Sequence, residues 1–252
     1  MIKTRSTVFS RLFRHPVLRL KRYSLADTGV AVEALVEAVV KTELFCNADT
    51  DLVRTMVASM TVRRVHAGEA ILRQGRRDDR LVLLAAGQAE VKRARAGDRT
   101  VRQLALLTRP EGLGEEALFG AEIRSVSVTM LTDGFILRLR RADFARLVSA
   151  HGVAWLSAEA AGSMAQPPGE WLWVGPARTR PAGMGTDVSA IQLERLRQRL
   201  SELEPSRHYL CCARDDANSA LAAFLLSQRG LSASAVHGGR RVAAVVRDGR
   251  KG

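Results

Sequence analysis

The sequence predicts an α+β chain of two domains, an N-terminal β-roll of the jelly-roll kind with flanking helices and a small C-terminal α/β layer. Apolar residues alternate with polar ones between residues 61 and 139, in short runs separated by glycines, which is typical of a β-roll. After residue 171, strand-like and helix-like stretches alternate, which indicates a parallel sheet. A length of 252 residues suits two domains of roughly 150 residues each.

Composition and charge divide the chain into four parts: a basic tail (1–26), a first domain (27–150), a linker (151–170) and a second domain (171–252). The tail has no acidic residue, and we interpret it as a disordered extension. A short basic amphipathic helix is the alternative, which Pro16 would interrupt. The linker is inferred from a composition break at Gln166-Pro-Pro-Gly169.

Two helices and a series of short strands are predicted for the first domain. Residues 28–45 have apolar side chains at three- and four-residue steps, and Asp49 is a candidate N-cap for a second helix over 49–60. Strands follow at 62–65, 70–72, 81–84 and 89–92. Residues 125–131 and 135–139 are predicted to form a hairpin across Thr132-Asp-Gly134, and a helix over 141–148 ends the domain.

One loop between predicted strands carries a carboxylate, Glu115, and a guanidinium, Arg124, on either side of a short helical run. A carboxylate can accept hydrogen bonds from two sugar hydroxyls, and the planar fork of an arginine fits a phosphate. Backbone N–H groups at the start of a short helix also favour an anion. The combination suits a small sugar phosphate.

This loop resembles the phosphate-binding cassette of cyclic nucleotide-binding domains, the family of the bacterial cyclic-AMP receptor protein and the regulatory subunits of cyclic-AMP-dependent kinase. The matching residues are Leu113-Gly114-Glu115-Glu116-Ala117-Leu118 and Arg124-Ser125-Val126-Ser127-Val128, with Leu113 in place of an aromatic residue. Ala67–Gly75 and Gly87–Val91 match the barrel of the same family, and residues 141–148 resemble its hinge helix.

The resemblance implies a role for each cassette residue. Glu115 would hold the ribose 2′-hydroxyl and Arg124 the cyclic phosphate, while the backbones of Gly114, Ala117 and Ser125 would complete the cradle. The ligand would be cyclic AMP, and cyclic GMP is the alternative, because Ser125 and Ser127 could contact either a guanine edge or the phosphate.

The second domain resembles a rhodanese (sulfurtransferase) domain. Strands are predicted at 171–174, 208–212 and 233–236, and helices at 189–203 and 219–230. The resemblance is carried by Ser219, Ala222-Ala223, Leu226, Gly230, Val236 and Gly238-Gly239.

Cys212 would be the catalytic nucleophile of such a domain, but the loop after it departs from the family pattern. It is one residue longer, lacks the glycine, and has Asn218 where the family has an arginine. Asp215 and Asp216 would raise the pKa of the thiol and repel anionic sulfur donors. We therefore expect an inactive module in which Cys212 is a buried strand residue; a regulated sulfurtransferase is the alternative.

The whole sequence is interpreted as a cyclic-nucleotide sensor that passes a ligand-induced hinge movement to its second domain. The expected partners are a cyclic mononucleotide, an unidentified downstream protein and a second copy of the chain. A net charge of +13 is compatible with nucleic acid, but we find no helix-turn-helix to support that alternative. No metal site or transmembrane segment is expected, and three cysteines without a disulfide pattern suit the cytoplasm.

Overall fold

The computed structural model describes residues 23–95, 101–108, 110–121, 123–164, 169–184, 188–238 and 242. Of the predicted basic tail, residues 1–22 lie outside the described residues, and so does Gly239 of the predicted glycine pair. None of the helices in the described ranges has the length and hydrophobicity that a bilayer crossing requires.

Two α-helices precede the roll in the described part of the chain, α1 (Val32–Val40) and α2 (Thr50–Ser59). The prediction for α2 is confirmed, because Asp49 caps it by accepting a hydrogen bond from the backbone N–H of Asp51 at 2.9 Å. Helix α1 is shorter than the predicted 28–45. It ends where the Thr42 hydroxyl donates to the carbonyl of Val39, and the chain continues in turns.

The described part of the roll consists of β1 (Thr61–Val65), β2 (Ala70–Leu72), β3 (Arg80–Ala86), β4 (Ala89–Ala94), β5 (Val101–Leu107), β6 (Glu111–Leu113), β7 (Ser127–Met130) and β8 (Gly134–Arg140). They form two antiparallel sheets with the orders β1-β8-β3-β6 and β2-β7-β4-β5. Buried residues of both sheets, among them Leu84, Val91, Val128 and Ile136, pack into one cluster between them. The roll predicted from the period-two pattern is confirmed.

The predicted hairpin of residues 125–131 and 135–139 is wrong. Strand β7 pairs with β2 and β4, whereas β8 pairs with β1 and β3 of the other sheet. The turn at Thr132-Asp133 therefore carries the chain from one sheet to the other. It can do so because Gly134 packs against the backbone of Ala86, where a Cβ would overlap the carbonyl.

After the roll come α3 (Arg141–Leu147) and a π-helical turn (Val148–Gly152). The following elements are β9 (Trp155–Leu156), α4 (Ala158–Met164), β10 (Gly169–Val174), β11 (Ser189–Ile191), α5 (Leu193–Leu196), β12 (His208–Ala213), α6 (Asp216–Ser227) and β13 (Ser232–Val236). The strands form a parallel sheet in the order β11-β10-β12-β13-β9, as the strand–helix alternation predicted.

Two stretches of the second half differ from their predicted structure. The region 151–170, predicted as a linker, contains β9, which pairs with β13, and α4, whose Ala158 and Ala161 are buried. The predicted helix over 189–203 begins as β11, continues as α5, and ends in a 3₁₀ helix from Arg197 to Glu202. In both stretches, pairing with a strand elsewhere in the chain decides the structure, and it outweighs the composition break in 151–170 and the helix periodicity in 189–203.

The two halves share one hydrophobic core. Four phenylalanines from different elements meet there: Phe45, Phe119, Phe144 and Phe224. Phe119, at the end of the predicted cassette, stacks on Phe224 of α6 with ring centroids 6.5 Å apart and planes 9° apart. Phe224 also contacts Phe144 of α3 edge to face at 5.7 Å. The second half therefore packs directly against the cassette and against α3.

Replacing Phe224 with alanine should destabilise both halves together. A large buried ring lost from a shared core costs about 3–5 kcal/mol of unfolding free energy. Urea unfolding followed by fluorescence should show one transition with a lower midpoint, whereas Val101→Ala, at a side chain that is 55% exposed, should change stability by less than about 0.5 kcal/mol. Two separated transitions in the wild-type protein would contradict a common core.

Candidate functional site

The predicted cassette starts where β6 leaves its partner strand β3, with Leu113 opposite Val82. Gly114 then adopts a left-handed conformation (φ 71°), and Glu115–Phe119 form a 3₁₀ helix. Gly120 ends this helix in a second left-handed conformation (φ 100°). The two glycines allow the chain to turn sharply into and out of the helix.

Arg124 is almost completely buried, with 2% of its surface exposed. Its Nη1 donates to the carbonyl of Gly114 at 3.1 Å, and Nη2 donates to the carbonyl of Arg80. Nη2 also lies 3.2 Å from Oδ2 of Asp78, which forms an ion pair with it. A buried guanidinium requires such compensation, and Asp78 supplies the opposite charge.

The contact between Arg124 and Gly114 explains why a glycine stands at the start of the cassette. A Cβ at position 114 would overlap the guanidinium, and the positive φ would strain any side chain. The Nε of Arg124 is buried without a hydrogen-bond partner in the described structure. The guanidinium thus has an unused donor, as expected of a group that could bind an additional acceptor.

Beside Arg124 lies an open cavity of about 340 Å³. Its lining combines β2 with the loop that leads to β3, namely Ala70, Ile71, Leu72, Arg73, Arg76, Arg77, Asp78, Asp79, Arg80 and Arg124. Five arginines and two aspartates give this cavity a positive balance, which attracts anions. The arginines other than Arg124 were not singled out from the sequence, although the run Arg73–Arg80 is visibly basic.

Glu115 does not line this cavity. Burial is the main cause that raises the pKa of its carboxyl group, and the neighbouring Glu116 raises it further. The other charges that act on it are Arg197 and Glu43, which lie towards the second half. The structure therefore does not bring Glu115 and Arg124 together in this cavity, although they belong to one loop.

The remaining predicted cradle residues differ in accessibility. Ala117 is fully buried, and its backbone N–H donates to the carbonyl of Gly114 at 3.2 Å. Ser125 is exposed. The hydroxyl of Ser127 accepts a hydrogen bond from the backbone N–H of Gln74 at 3.0 Å, so its oxygen already has a partner.

Cys212, the candidate nucleophile, lies inside β12 with no exposed surface. Its thiol contacts the carbonyl of Leu172 at 3.6 Å, and burial raises its pKa to about 12. Burial also raises the pKa of the neighbouring Cys211. Such a thiol is almost entirely protonated at neutral pH, and the thiolate is the reactive form.

Asp215 and Asp216 are engaged in local structure at the start of α6. Asp215 caps the helix by accepting from the backbone and the side-chain amide of Asn218, each at 2.9 Å. Asp216 accepts from the backbone N–H of Gly238 and contacts His237. Within the described ranges, no group of three or more metal-binding side chains is assembled.

Comparisons with known proteins find similarity for the first half of the chain. Residues 62–151 match the family model of the cyclic nucleotide-binding domain. The cGMP-dependent protein kinase egl-4 of Caenorhabditis briggsae is 28% identical over 109 residues, which are 43% of this chain and 15% of the kinase. The Caenorhabditis elegans protein of the same name is 28% identical over 115 residues, 45% of this chain and 15% of the kinase.

Among solved structures, the regulatory domain of Toxoplasma gondii PKA with cAMP is similar, with 21% identity and a TM-score of 0.40. The match covers 46% of this chain and 44% of that one. The matched region thus spans about 15% of the length of the curated relatives, and 44% of this solved structure. Residues 62–151, which include the cassette and the buried Arg124, are similar to a cyclic nucleotide-binding domain.

Proposed function

We propose that the first domain binds a cyclic purine mononucleotide and that the second domain responds to the binding. Cyclic AMP is the first candidate, and cyclic GMP, on which the two kinase relatives depend by name, is the alternative. The proposal is carried by Arg124, a buried guanidinium with an unused donor beside an arginine-lined cavity, within a stretch that matches the family.

Binding would exchange one anion for another at Arg124. The guanidinium is paired with Asp78, and a cyclic phosphate in the adjacent cavity would compete with that carboxylate for the same Nη2. Phosphate and carboxylate both fit the arginine fork, so the charge of the guanidinium would be balanced in either state. Release of Asp78 would then free the loop that carries it.

Glu115 would have to leave its half-buried position in order to reach a ribose. Burial is the main cause that raises the pKa of its carboxyl group, and Glu116 and Glu43 raise it further, so the charged form is disfavoured where it lies. Movement towards a sugar hydroxyl would relieve this cost. Nucleotide binding would therefore be coupled to a displacement of the 3₁₀ helix, since Glu115 is its first residue.

Arg141 would transmit the movement, because it joins three parts of the molecule. Its backbone N–H donates to the carbonyl of Asp79, which is adjacent to the partner of Arg124. Its side chain donates from Nε to the carbonyl of Leu118 at 3.2 Å and from Nη2 to Asn218 of α6 at 2.6 Å. A shift of the Asp78 loop or of the cassette would thus reach the second domain directly.

The second domain is proposed to be a rhodanese-like output module without sulfurtransferase activity. Its parallel sheet and the helix that follows the cysteine strand are compatible with that resemblance. The buried, protonated thiol of Cys212 supports the absence of activity. A homodimer, a downstream protein, a cytoplasmic location and contact with nucleic acid stay predictions from the sequence, the last suggested by charge alone.

Arg124→Ala should abolish most cyclic-nucleotide binding. Loss of the buried guanidinium removes the phosphate's partner, while Asp78 stays in the cavity lining with Arg80 as its remaining charge partner at 3.9 Å. Binding should therefore weaken at least about hundredfold, or by about 3 kcal/mol. Calorimetric titration with cyclic AMP and cyclic GMP would measure the affinity and the preference between them. Arg73→Ala, at an arginine of the same cavity, is the matched control and should cost less than about tenfold. Unchanged affinity in Arg124→Ala would refute the site.

Asn218→Ala should leave cyclic-nucleotide binding intact and abolish the response of α6 to that binding. It removes the side chain that accepts from Arg141 but lies outside the proposed nucleotide site, so affinity should stay within about threefold of wild type. Hydrogen exchange of α6 should change on addition of cyclic AMP in the wild type and should not change in this variant. Asn47→Ala is the control, because Asn47 also bonds across the two halves, to Gln228 at 2.8 Å, without touching Arg141. If hydrogen exchange of α6 in Asn218→Ala changed as much as in the wild type, transmission through Arg141 would be excluded.

The cysteines should differ sharply in reactivity. With a pKa of about 12, the Cys212 thiol is almost entirely protonated at pH 8, whereas Cys46 is exposed. Ellman's reagent should therefore modify one thiol rapidly in the native protein, three after denaturation, and none rapidly in native Cys46→Ser. A rapid second thiol, or thiosulfate–cyanide sulfur transfer that Cys212→Ala removes, would favour the sulfurtransferase alternative.

A further inference from the structure

A second cleft, separate from the cavity beside Arg124, lies where the two halves meet. It has a volume of about 480 Å³ and opens at the carboxyl ends of β10 and β12. These neighbouring strands are followed by crossovers in opposite directions, because β10 leads to β11 on one side and β12 leads to β13 on the other. In open parallel sheets, ligands bind in the crevice at such a switch point.

The cleft is lined in part by a buried donor that has no acceptor. Trp173, at 2% exposure, is one of its lining residues, and its indole N–H is buried without a hydrogen-bond partner in the described structure. The adjacent Gly175 also lines the cleft, and a Cβ there would lie 3.1 Å from the indole nitrogen. Glycine therefore leaves room beside a donor that the protein does not satisfy itself.

The charges that line the cleft are not neutralised by one another in ion pairs. Arg214 is exposed and has no ion-pair or hydrogen-bond partner among the described residues. Arg141 donates to neutral groups only, the carbonyl of Leu118 and the amide of Asn218. Asp215 uses both carboxylate oxygens to accept from Asn218, which leaves Glu194 as the free carboxylate of the lining.

We propose that this cleft is a second ligand site, for a small metabolite with an oxyanion and a hydroxyl or amino group. The oxyanion, a phosphate or a carboxylate, would bind Arg214 and the free donors of Arg141, whose planar forks match either group. The indole N–H of Trp173 would donate to a further ligand oxygen. Glu194 would accept from the hydroxyl or amino group, so that a polar, partly anionic molecule is favoured over a simple anion.

Some residues of this cleft also belong to the hydrogen bonds through which Arg141 would connect the cassette to the second domain. Arg141, Asn218 and Gly120, the glycine that ends the cassette helix, all line it. A ligand held there would contact both halves and bias their arrangement, so each ligand should alter the affinity for the other by the same factor. The coupling between the two ligands rests on the proposed nucleotide binding. Binding of a ligand in the cleft does not depend on it.

The test uses the indole N–H resonances of the full chain, which contains three tryptophans. Trp173→Phe assigns the signal of the cleft, and Trp155, whose indole donates to the carbonyl of Ser149 at 2.7 Å, is an internal reference. Ribose 5-phosphate and serine are titrated separately, without any cyclic nucleotide. A saturable shift of the Trp173 signal is expected with one of them, which identifies the oxyanion as phosphate or carboxylate.

Arg214→Gln should weaken the binding at least about tenfold, because it removes a charged partner of the oxyanion. Arg195→Gln is the matched control, since Arg195 is exposed on α5 and does not line the cleft; it should leave the titration unchanged. If neither probe shifts the Trp173 signal up to about 10 mM, or if both variants weaken binding equally, the site is disproved. Because no nucleotide is present, failure here is distinguishable from failure of the nucleotide site.

Discussion

The ion pair between the buried Arg124 and Asp78 is the interaction on which the proposed function of the first domain depends. Burial of a charged guanidinium costs free energy unless anions and carbonyls compensate it, and the neighbours of Arg124, which is 2% exposed, supply one carboxylate and two carbonyls. These partners come from the cassette, from the loop before β3 and from the first residue of β3. The guanidinium of Arg124 therefore joins the cassette to the loop that lines the cavity, and under the proposed function an anion that replaced Asp78 would release this loop.

The second constraint is the common core of the two halves. Phe119 belongs to the cassette and Phe144 to α3, and both pack on Phe224 of α6. Ion pairs also join the two halves, because Glu43 binds Arg197 and Arg229 of the second half. The hydrogen bond from Arg229 is the main cause that lowers the pKa of Glu43, and the charges of both arginines lower it further. A close-packed interface transmits displacement, since interiors are too dense to absorb it locally. The second half thus contacts the cassette and α3 directly, and under the proposed function it would respond to the cassette through these contacts.

The local rules predicted much of the fold. Alternating apolar residues and glycine turns predicted the strands of the roll, and Asp49 predicted the start of α2. The errors in the sheets have one cause, which is pairing between distant residues, whereas the early end of α1 is local, at the hydrogen bond from the Thr42 hydroxyl. The residues around Thr132 do not indicate that β7 and β8 belong to different sheets. The residues around Trp155 and Ser189 likewise do not indicate that these segments pair with strands distant in the sequence.

For the site, the sequence by itself determined the residue types: an arginine, a glycine and an acid in one loop, and a cysteine in an apolar strand. Only the tertiary structure decided which groups meet. It placed Asp78, rather than Glu115, beside Arg124, and it buried Cys212 beneath the edge where β10 and β12 form a cleft. The reason is physical: chemistry is encoded residue by residue, but charge pairing and burial depend on neighbours that only folding brings together.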